Sequence, residues 1–449
     1  MKLPASLLRR GLFLFGLASL CYLLGAAVIY FDLPSSSFIQ RGFAGGAAWY
    51  EGRKTQQTPD EDLPPLSVGR IYLPDKACNG FTLCAFNSTR AILVDMHGQV
   101  AHEWYVPFSR IWPDSPGGRA PNDSAVYFTD AHVYPNGDLL AVMEGPIDLK
   151  SSSNGYGLVK IDKDSNVIWR YRDKCHHSFD VGEDGTIYAI TNEIVEKLPP
   201  GLEHIPAPSP CVIDVLDVIS SEGKRLKRIP LLEAFRDSPA YAPYLCMLER
   251  SKMYGQASPP APPGVTTTPI FDDRRRGDVF HTNAVKVLTR AMAPKFPLFK
   301  AGQLLISPRH LDAIAVLDPD SGKIVWAARG IWRAQHDPTF LDNGHILIFD
   351  NMGSPRGSRV LEYDPASQSF PWWYPGDNGT SFYSRIRGMS QRLPNGNTLI
   401  VNSDAGEVFE VTMEREVVWT GACGVELKRA RRYVPEQLPF LMGEKHARP

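Results

Sequence analysis

Six times this chain repeats one pattern: an apolar strand ending near Asp, a polar turn, and a second strand closing near Trp. The copies run Ile92 to Trp104, Leu158 to Trp169, Val212 to Leu226, Ile314 to Trp326, Val360 to Trp373 and Val408 to Trp419, with Leu226 where the others have Trp. A second pattern alternates with it: apolar residues, Asn-Gly or Asp-Gly, then an apolar run. Its copies are Val133 to Val142, Val181 to Ile190, Phe340 to Phe349 and Arg392 to Val401. Asn-Gly and Asp-Gly tolerate positive φ at the centre of a type I′ turn, so each copy reads as a hairpin. Two hairpins make four antiparallel strands, which is one propeller blade. The expected fold is therefore all-β, a six-bladed β-propeller over residues 67–421. Its blades span about Ile71–Trp104, Asp130–Trp169, His176–Leu226, His281–Trp326, His336–Trp373 and Arg387–Trp419. The tryptophans are expected to fill the space between blades.

The segments outside the repeat set the surroundings. Gly11 to Phe31 carries no charge and follows Lys2, Arg9 and Arg10. At 1.5 Å per residue it would span about 31 Å, enough to cross a bilayer with residues 1–10 in the cytoplasm and the propeller outside. A cleaved signal peptide is the competing reading, against which the run is long and the small residues Ala44 to Ala48 lie far downstream. Residues 32–66 read as a linker and 422–449 as a C-terminal tail, with Lys428 to Arg432 a solvated basic run. Residues 230–280 read as an insertion between the third and fourth blades, helical at Leu231 to Phe235 and Tyr244 to Leu248, serving either as a lid or as a passive excursion. Cys78 with Cys84, and Cys175 with Cys211, are candidate disulfides of an exported protein. The net charge of −1 gives no case for nucleic-acid binding.

Histidines stand where blades begin. The sequence reads His281-Thr-Asn-Ala-Val, then an apolar strand ending Ser307-Pro-Arg309-His310, then Gln335-His336-Asp337 followed by Asp342-Asn-Gly and Phe349-Asp-Asn, then Gln391-Arg-Leu-Pro-Asn-Gly-Asn-Thr-Leu-Ile. In order and content this resembles the bacterial arylsulfate sulfotransferases over about residues 90–420. The resemblance implies a propeller in the cell envelope that moves a sulfuryl group between phenolic esters, without a nucleotide donor, through a sulfated histidine. Carried over by position, it implies His336 as the nucleophile, His281 as a second catalytic histidine, Arg309 as the holder of the sulfuryl oxygens and His177 as a third histidine, with His176 as its alternative. Ser390 matches a hydroxyl that assists sulfate binding. Pro308 departs from the family's small polar residue, and the large N-terminal β-domain of well-known members is absent from the pattern.

The residue types suit that chemistry. A neutral imidazole is a competent nucleophile near pH 7, a guanidinium offers paired donors to sulfuryl oxygens, and a protonated imidazole can give its proton to a leaving oxygen. His132 stands at a blade start and His310 beside Arg309, so both are candidate substrate-binding residues. No metal and no other cofactor is expected, because carboxylates at matching positions are few. Two further readings compete. One is a silent propeller scaffold in envelope or polysaccharide assembly. The other is a pyrroloquinoline-quinone oxidoreductase, suggested by the single good repeat Leu317 to Trp326. The expected partners are an aryl sulfate donor, a phenolic or other hydroxyl acceptor, and the membrane.

Overall fold

The computed structural model describes residues 66–113, 123–145, 155–249, 277–355, 357–375 and 382–443. It is an all-β propeller of six sheets. The first strand, β1 (Ser67–Tyr72), is followed by β2 (Phe81–Ala85), β3 (Arg90–Val94) and β4 (Val100–Tyr105), which belong to blade one. Blade two is β5 (Tyr127–Val133), β6 (Leu139–Glu144), β7 (Gly155–Ile161) and β8 (Val167–Tyr171). Blade three is β9 (Phe179–Val181), β10 (Ile187–Val195), β11 (Cys211–Ile219) and β12 (Arg225–Pro230). Blade four is β13 (Thr282–Val287), β14 (Leu304–Pro308), β15 (Ala313–Asp318) and β16 (Lys323–Arg329). Blade five is β17 (His336–Phe340), β18 (Ile346–Ser354), β19 (Gly357–Asp364) and β20 (Ser369–Pro375). Blade six is β21 (Met389–Arg392), β22 (Thr398–Asn402), β23 (Glu407–Val411) and β24 (Val417–Ala422), and β25 (Arg429–Tyr433) follows it.

The ring is closed from both ends, which corrects two expectations. β25 pairs with β2 from Phe81↔Tyr433 to Ala85↔Arg429 and supplies the inner strand of blade one. β1, holding Ile71, is not part of blade one. It pairs with β24 and adds a fifth strand to blade six. The basic run is thus no solvated tail. Arg429 is buried and grips Asp130 of β5 through Nε (2.9 Å) and Nη2 (2.6 Å), while its Nη1 lies 3.1 Å from Asp337 of β17. Lys286 of β13 lies 3.6 Å from the same Asp337 carboxylate. Four inner strands are so tied around the axis by charge. Arg432, also buried, donates to Thr82 Oγ1 (2.8 Å) and stacks over Trp419 at 4.6 Å. Charges buried this deeply persist only when paired, as these are.

The tryptophans link successive blades by one device. The indole N–H of an outer strand reaches a turn carbonyl of the next blade: Trp104 to Gly137, Trp169 to Ser221, Trp372 to Met413 and Trp419 to Met96, at 2.8–3.1 Å. In blade five Trp372 does this, not Trp373, which is 43% exposed. Leu226 has no side-chain N–H to offer and stays 63% exposed. Trp326 packs with Phe299 and Tyr363 in the apolar cluster between blades four and five. Packing between blades therefore accounts for the Leu317 to Trp326 repeat.

Residues Leu231–Arg236 form the expected short helix, and Ala242–Met247 form a 3-10 helix. Both expected disulfides are absent: Cys78, Cys84, Cys175 and Cys211 are free. Cys175 packs between blades two and three and Cys211 between three and four, on opposite faces of one blade, so these two cannot meet. No helix among the described residues is long and apolar enough to cross a membrane, and Gly11 to Phe31 lies outside the described residues.

Candidate active site

The inner strands β9, β13, β17 and β21 are neighbours around the axis. The chain enters them through tight turns with left-handed backbone at His177 (φ 57°), His281 (φ 51°), Ala334 (φ 51°) and Arg387 (φ 55°). Such conformations in non-glycine residues cost on the order of 1–3 kcal/mol each and persist where the surroundings enforce them. Before β9, β13 and β17 carboxylates do so. The N–H of His177 donates to Glu144 (2.6 Å), that of His281 to Asp278 (2.9 Å), that of Thr282 to Asp214 (2.5 Å) and that of Ala334 to Asp312 (2.9 Å).

These turns bring five of the candidate residues together. His336 opens β17 and is buried. Its Nδ1 lies 2.7 Å from Asn351 Oδ1 and 3.0 Å from Ala334 O. The Asn351 amide donates to Ser384 O and Arg387 O, which fixes its oxygen toward the imidazole. The Arg387 N–H donates to His336 Nε2 at 3.2 Å. Nδ1 therefore carries the proton and Nε2 the lone pair. Burial, followed by the neighbouring Arg309 charge, holds the His336 pKa well below its ordinary value. Arg309 sits in a short 3-10 turn after β14 and is buried; among the described residues it forms no ion pair, and its Nε has no hydrogen-bond partner. Burial lowers its pKa, with Asp312 and Asp278 acting against that. A guanidinium this dry and unpaired is suited to an anion.

His281 holds its Nδ1 against Asp278 Oδ2 at 2.6 Å and stacks on His310 at 5.2 Å between ring centroids. His310 Nδ1 meets the Asp278 carbonyl at 2.9 Å. The His177 ring meets His281 edge-on at 4.8 Å, and its pKa is pushed down to about 4, by burial above all. Beyond it, Tyr127 links Glu144 (3.4 Å) to Arg387 (3.3 Å), and Arg387 pairs with Glu426.

The other two candidates sit on β5 and β21. His132 is not at the start of its strand but next to its end in β5, where it packs on Tyr134 and pairs in register with Leu140. Burial, then Arg431, pushes its pKa down to about 4. Ser390, in β21, is buried and pairs in register with Ile400, and its hydroxyl has no hydrogen-bond partner among the described residues. Sequence reading gave no part to Asn351, Asp278, Arg387 or Glu144. Only Asn351 stood in a quoted motif, and Asp278 was discernible as an acid three residues before a histidine.

Glu144, His176 and His177 place three possible metal-ligand atoms within 4.8 Å of one another. The two imidazoles, however, face each other Nδ1 to Nδ1 at 2.7 Å. Two nitrogens sharing a tetrahedral zinc stand roughly 3.3 Å apart, so this arrangement fits a shared proton and not an ion.

Fold and site together define a six-bladed propeller whose inner-strand starts gather a neutral imidazole, further histidines and an unpaired buried arginine, a constellation suited to a small tetrahedral anion. The sequence model of the Arylsulfotransferase (ASST) family matches residues 132–424, and the chain belongs to that family. No curated protein matches the chain. Among solved structures it is similar to a Bacteroides caccae protein of unknown function (11% identity, 76% of this chain and 93% of that one, TM-score 0.44). It is also similar to a streptogramin B lyase (9% identity, 84% and 96%, TM-score 0.42).

Proposed function

We propose that this protein moves a sulfuryl group from an aryl sulfate to a phenolic or other hydroxyl acceptor, through a sulfohistidine at His336 and without a nucleotide. One observation carries the reading: a histidine locked as the Nδ1–H tautomer by Asn351, kept neutral by burial, lies beside the buried, unpaired guanidinium of Arg309. In the first half-reaction Nε2 attacks sulfur, the N–S bond forms and the S–O bond to the phenol breaks. The hydrogen bond from the Arg387 N–H to Nε2 breaks as the attack begins. The ring becomes a cation, and Asn351 Oδ1 accepts its Nδ1–H. Arg309 holds the sulfuryl oxygens. His281, oriented by Asp278, gives its proton to the leaving oxygen and takes one from the acceptor in the second half-reaction. The acceptor oxygen then binds sulfur and His336 leaves as neutral imidazole.

The test is incubation of the full chain with 4-nitrophenyl sulfate and phenol, without nucleotide. Nitrophenol release that depends on phenol, with phenyl sulfate as co-product, supports the reading. Release that needs a nucleotide, or that yields only inorganic sulfate, opposes it. We further propose that Gly11 to Phe31 anchors the protein in a membrane with the propeller on the extracytoplasmic side. Release of the intact chain by a salt wash would oppose this.

A further inference from the structure

We infer that His176 is a positioning residue: its Nδ1–H, donated to His177 Nδ1, forces His177 to present Nε2–H as a hydrogen-bond donor to the transferring sulfuryl group beside Arg309. The inference rests on the sulfuryl-transfer reading for its last step only. The two rings stand nearly perpendicular, at 83°, with Nδ1 atoms 2.7 Å apart, so one proton lies between them. Either ring could own it, and the surroundings decide.

His176 is almost fully buried, and its Nε2 lies 3.6 Å from Asp214 Oδ1. Burial works against its charge. Asp214, Glu144 and Asp278 outweigh burial and raise its pKa above the ordinary value. His177 faces Glu144, Asp278, His176 and Arg387, and burial dominates, keeping it neutral. A protonated imidazole donates from both nitrogens, whereas a neutral one donates from one and accepts at the other. His177 Nδ1 must then accept, and its proton sits on Nε2.

The nearest carboxylate does not compete. Glu144 Oε1 lies 3.5 Å from His177 Nδ1 but takes the His177 backbone N–H at 2.6 Å. The polar contacts of the His177 ring among the described residues are all at Nδ1, and 18% of the side chain remains accessible. The His177 ring meets His281 edge-on and lies within electrostatic reach of His336. A neutral donor there stabilises charge on the sulfuryl oxygens without adding a cation beside Arg309 and Arg387.

The experiment is long-range ¹H–¹⁵N spectroscopy of the full chain labelled at histidine, with kinetics on the same proteins. His177 is expected as the Nε2–H tautomer, and as a mixture of tautomers in His176→Leu. This arm needs no substrate, so it decides the tautomer even if sulfuryl transfer fails. In turnover, His176→Leu is expected to lower kcat by roughly 10-fold or more, equally for 4-nitrophenyl sulfate and phenyl sulfate, because the donor serves the sulfuryl oxygens. Loss of His281 should instead hurt the poorer leaving group more. In a His177→Gln background, where the amide supplies its own donor, His176→Leu should have no further effect on kcat. A His177 protonated on Nδ1, or wild-type turnover by His176→Leu, overturns the inference.

Discussion

Replacing Arg429 by Met tests how the ring is held. The substitution keeps the side chain's length and removes its charge. It deletes two hydrogen bonds to Asp130 and the ion pair with Asp337, leaving two carboxylates that are 1% and 3% exposed. Breaking a buried pair by removing one partner costs about 3–5 kcal/mol. Lys286, 3.6 Å from Asp337, offsets part of this for Asp337, while Asp130 keeps Arg431 at 3.9 Å and its hydrogen bonds from Ser178 and the Ala131 N–H. At about 1.3 °C per kcal/mol for a propeller spanning residues 66–443, the melting temperature should fall by roughly 4–6 °C. The pH dependence has a definite sign. Burial alone would raise the Asp130 pKa, but Arg429 and Arg431 lower it, so in the intact protein the ion pair's stabilisation exists above the unfolded carboxylate pKa and is lost as pH falls through the folded one. In Arg429→Met, Asp130 must fold with a raised pKa, and protonation then favours folding. The deficit should therefore shrink as pH falls from 7 toward 4. Adding Asp130→Asn should recover part of the loss, with a coupling of about 0.5–3 kcal/mol. Differential scanning calorimetry on the single and double variants reads all three effects. A drop below about 2 °C, the size expected of an exposed pair, would refute the argument.

Three further outcomes follow from the site. Asn351→Leu removes the acceptor that orients His336 and is expected to lower single-turnover sulfuryl transfer by roughly 10–100-fold, with little change in substrate affinity. Arg309→Lys should cost on the order of 10²-fold in kcat/KM with 4-nitrophenyl sulfate, since an ammonium cannot reproduce the paired donors. Because the His336 pKa is lowered, the nucleophile stays neutral below the ordinary histidine range. The acid limb of single-turnover transfer should then lie well below the ordinary histidine range, and a limb centred near 6.5 would argue that another group carries the attack.

The number of blades was legible because each back half ends in Asp, turn and Trp, and because the indole of one blade meets the turn of the next. Closure was not. β2 and β25 pair residues as far apart as Phe81 and Tyr433, and no local pattern announces such a partner. Arg429 to Arg432 read as solvated because charged residues seldom lie inside, yet Asp130 and Glu410 from other blades meet them there. His336 and His281 stood out at strand entries, the resemblance added His177 and Arg309, and the fold draws the four toward one place. His132 misled because it lies near the turn of β5, at the opposite end from the other histidines' positions on their strands. The groups that hold His336 stayed hidden, since Asn351 reaches it across the irregular β17–β18 pair and Arg387 from the turn that enters blade six. An even cysteine count suggested bridges, but burial between blades explains Cys175 and Cys211.

The central claim is that His336 carries the sulfuryl group, and peptide mapping of the labelled protein tests it most directly. The full chain is mixed with 4-nitrophenyl sulfate without acceptor, quenched at alkaline pH and digested for mass spectrometry. The account predicts one sulfuryl group on His336, discharged when phenol is added before the quench, and neither label nor turnover in His336→Ala. Undiminished turnover by His336→Ala would contradict it.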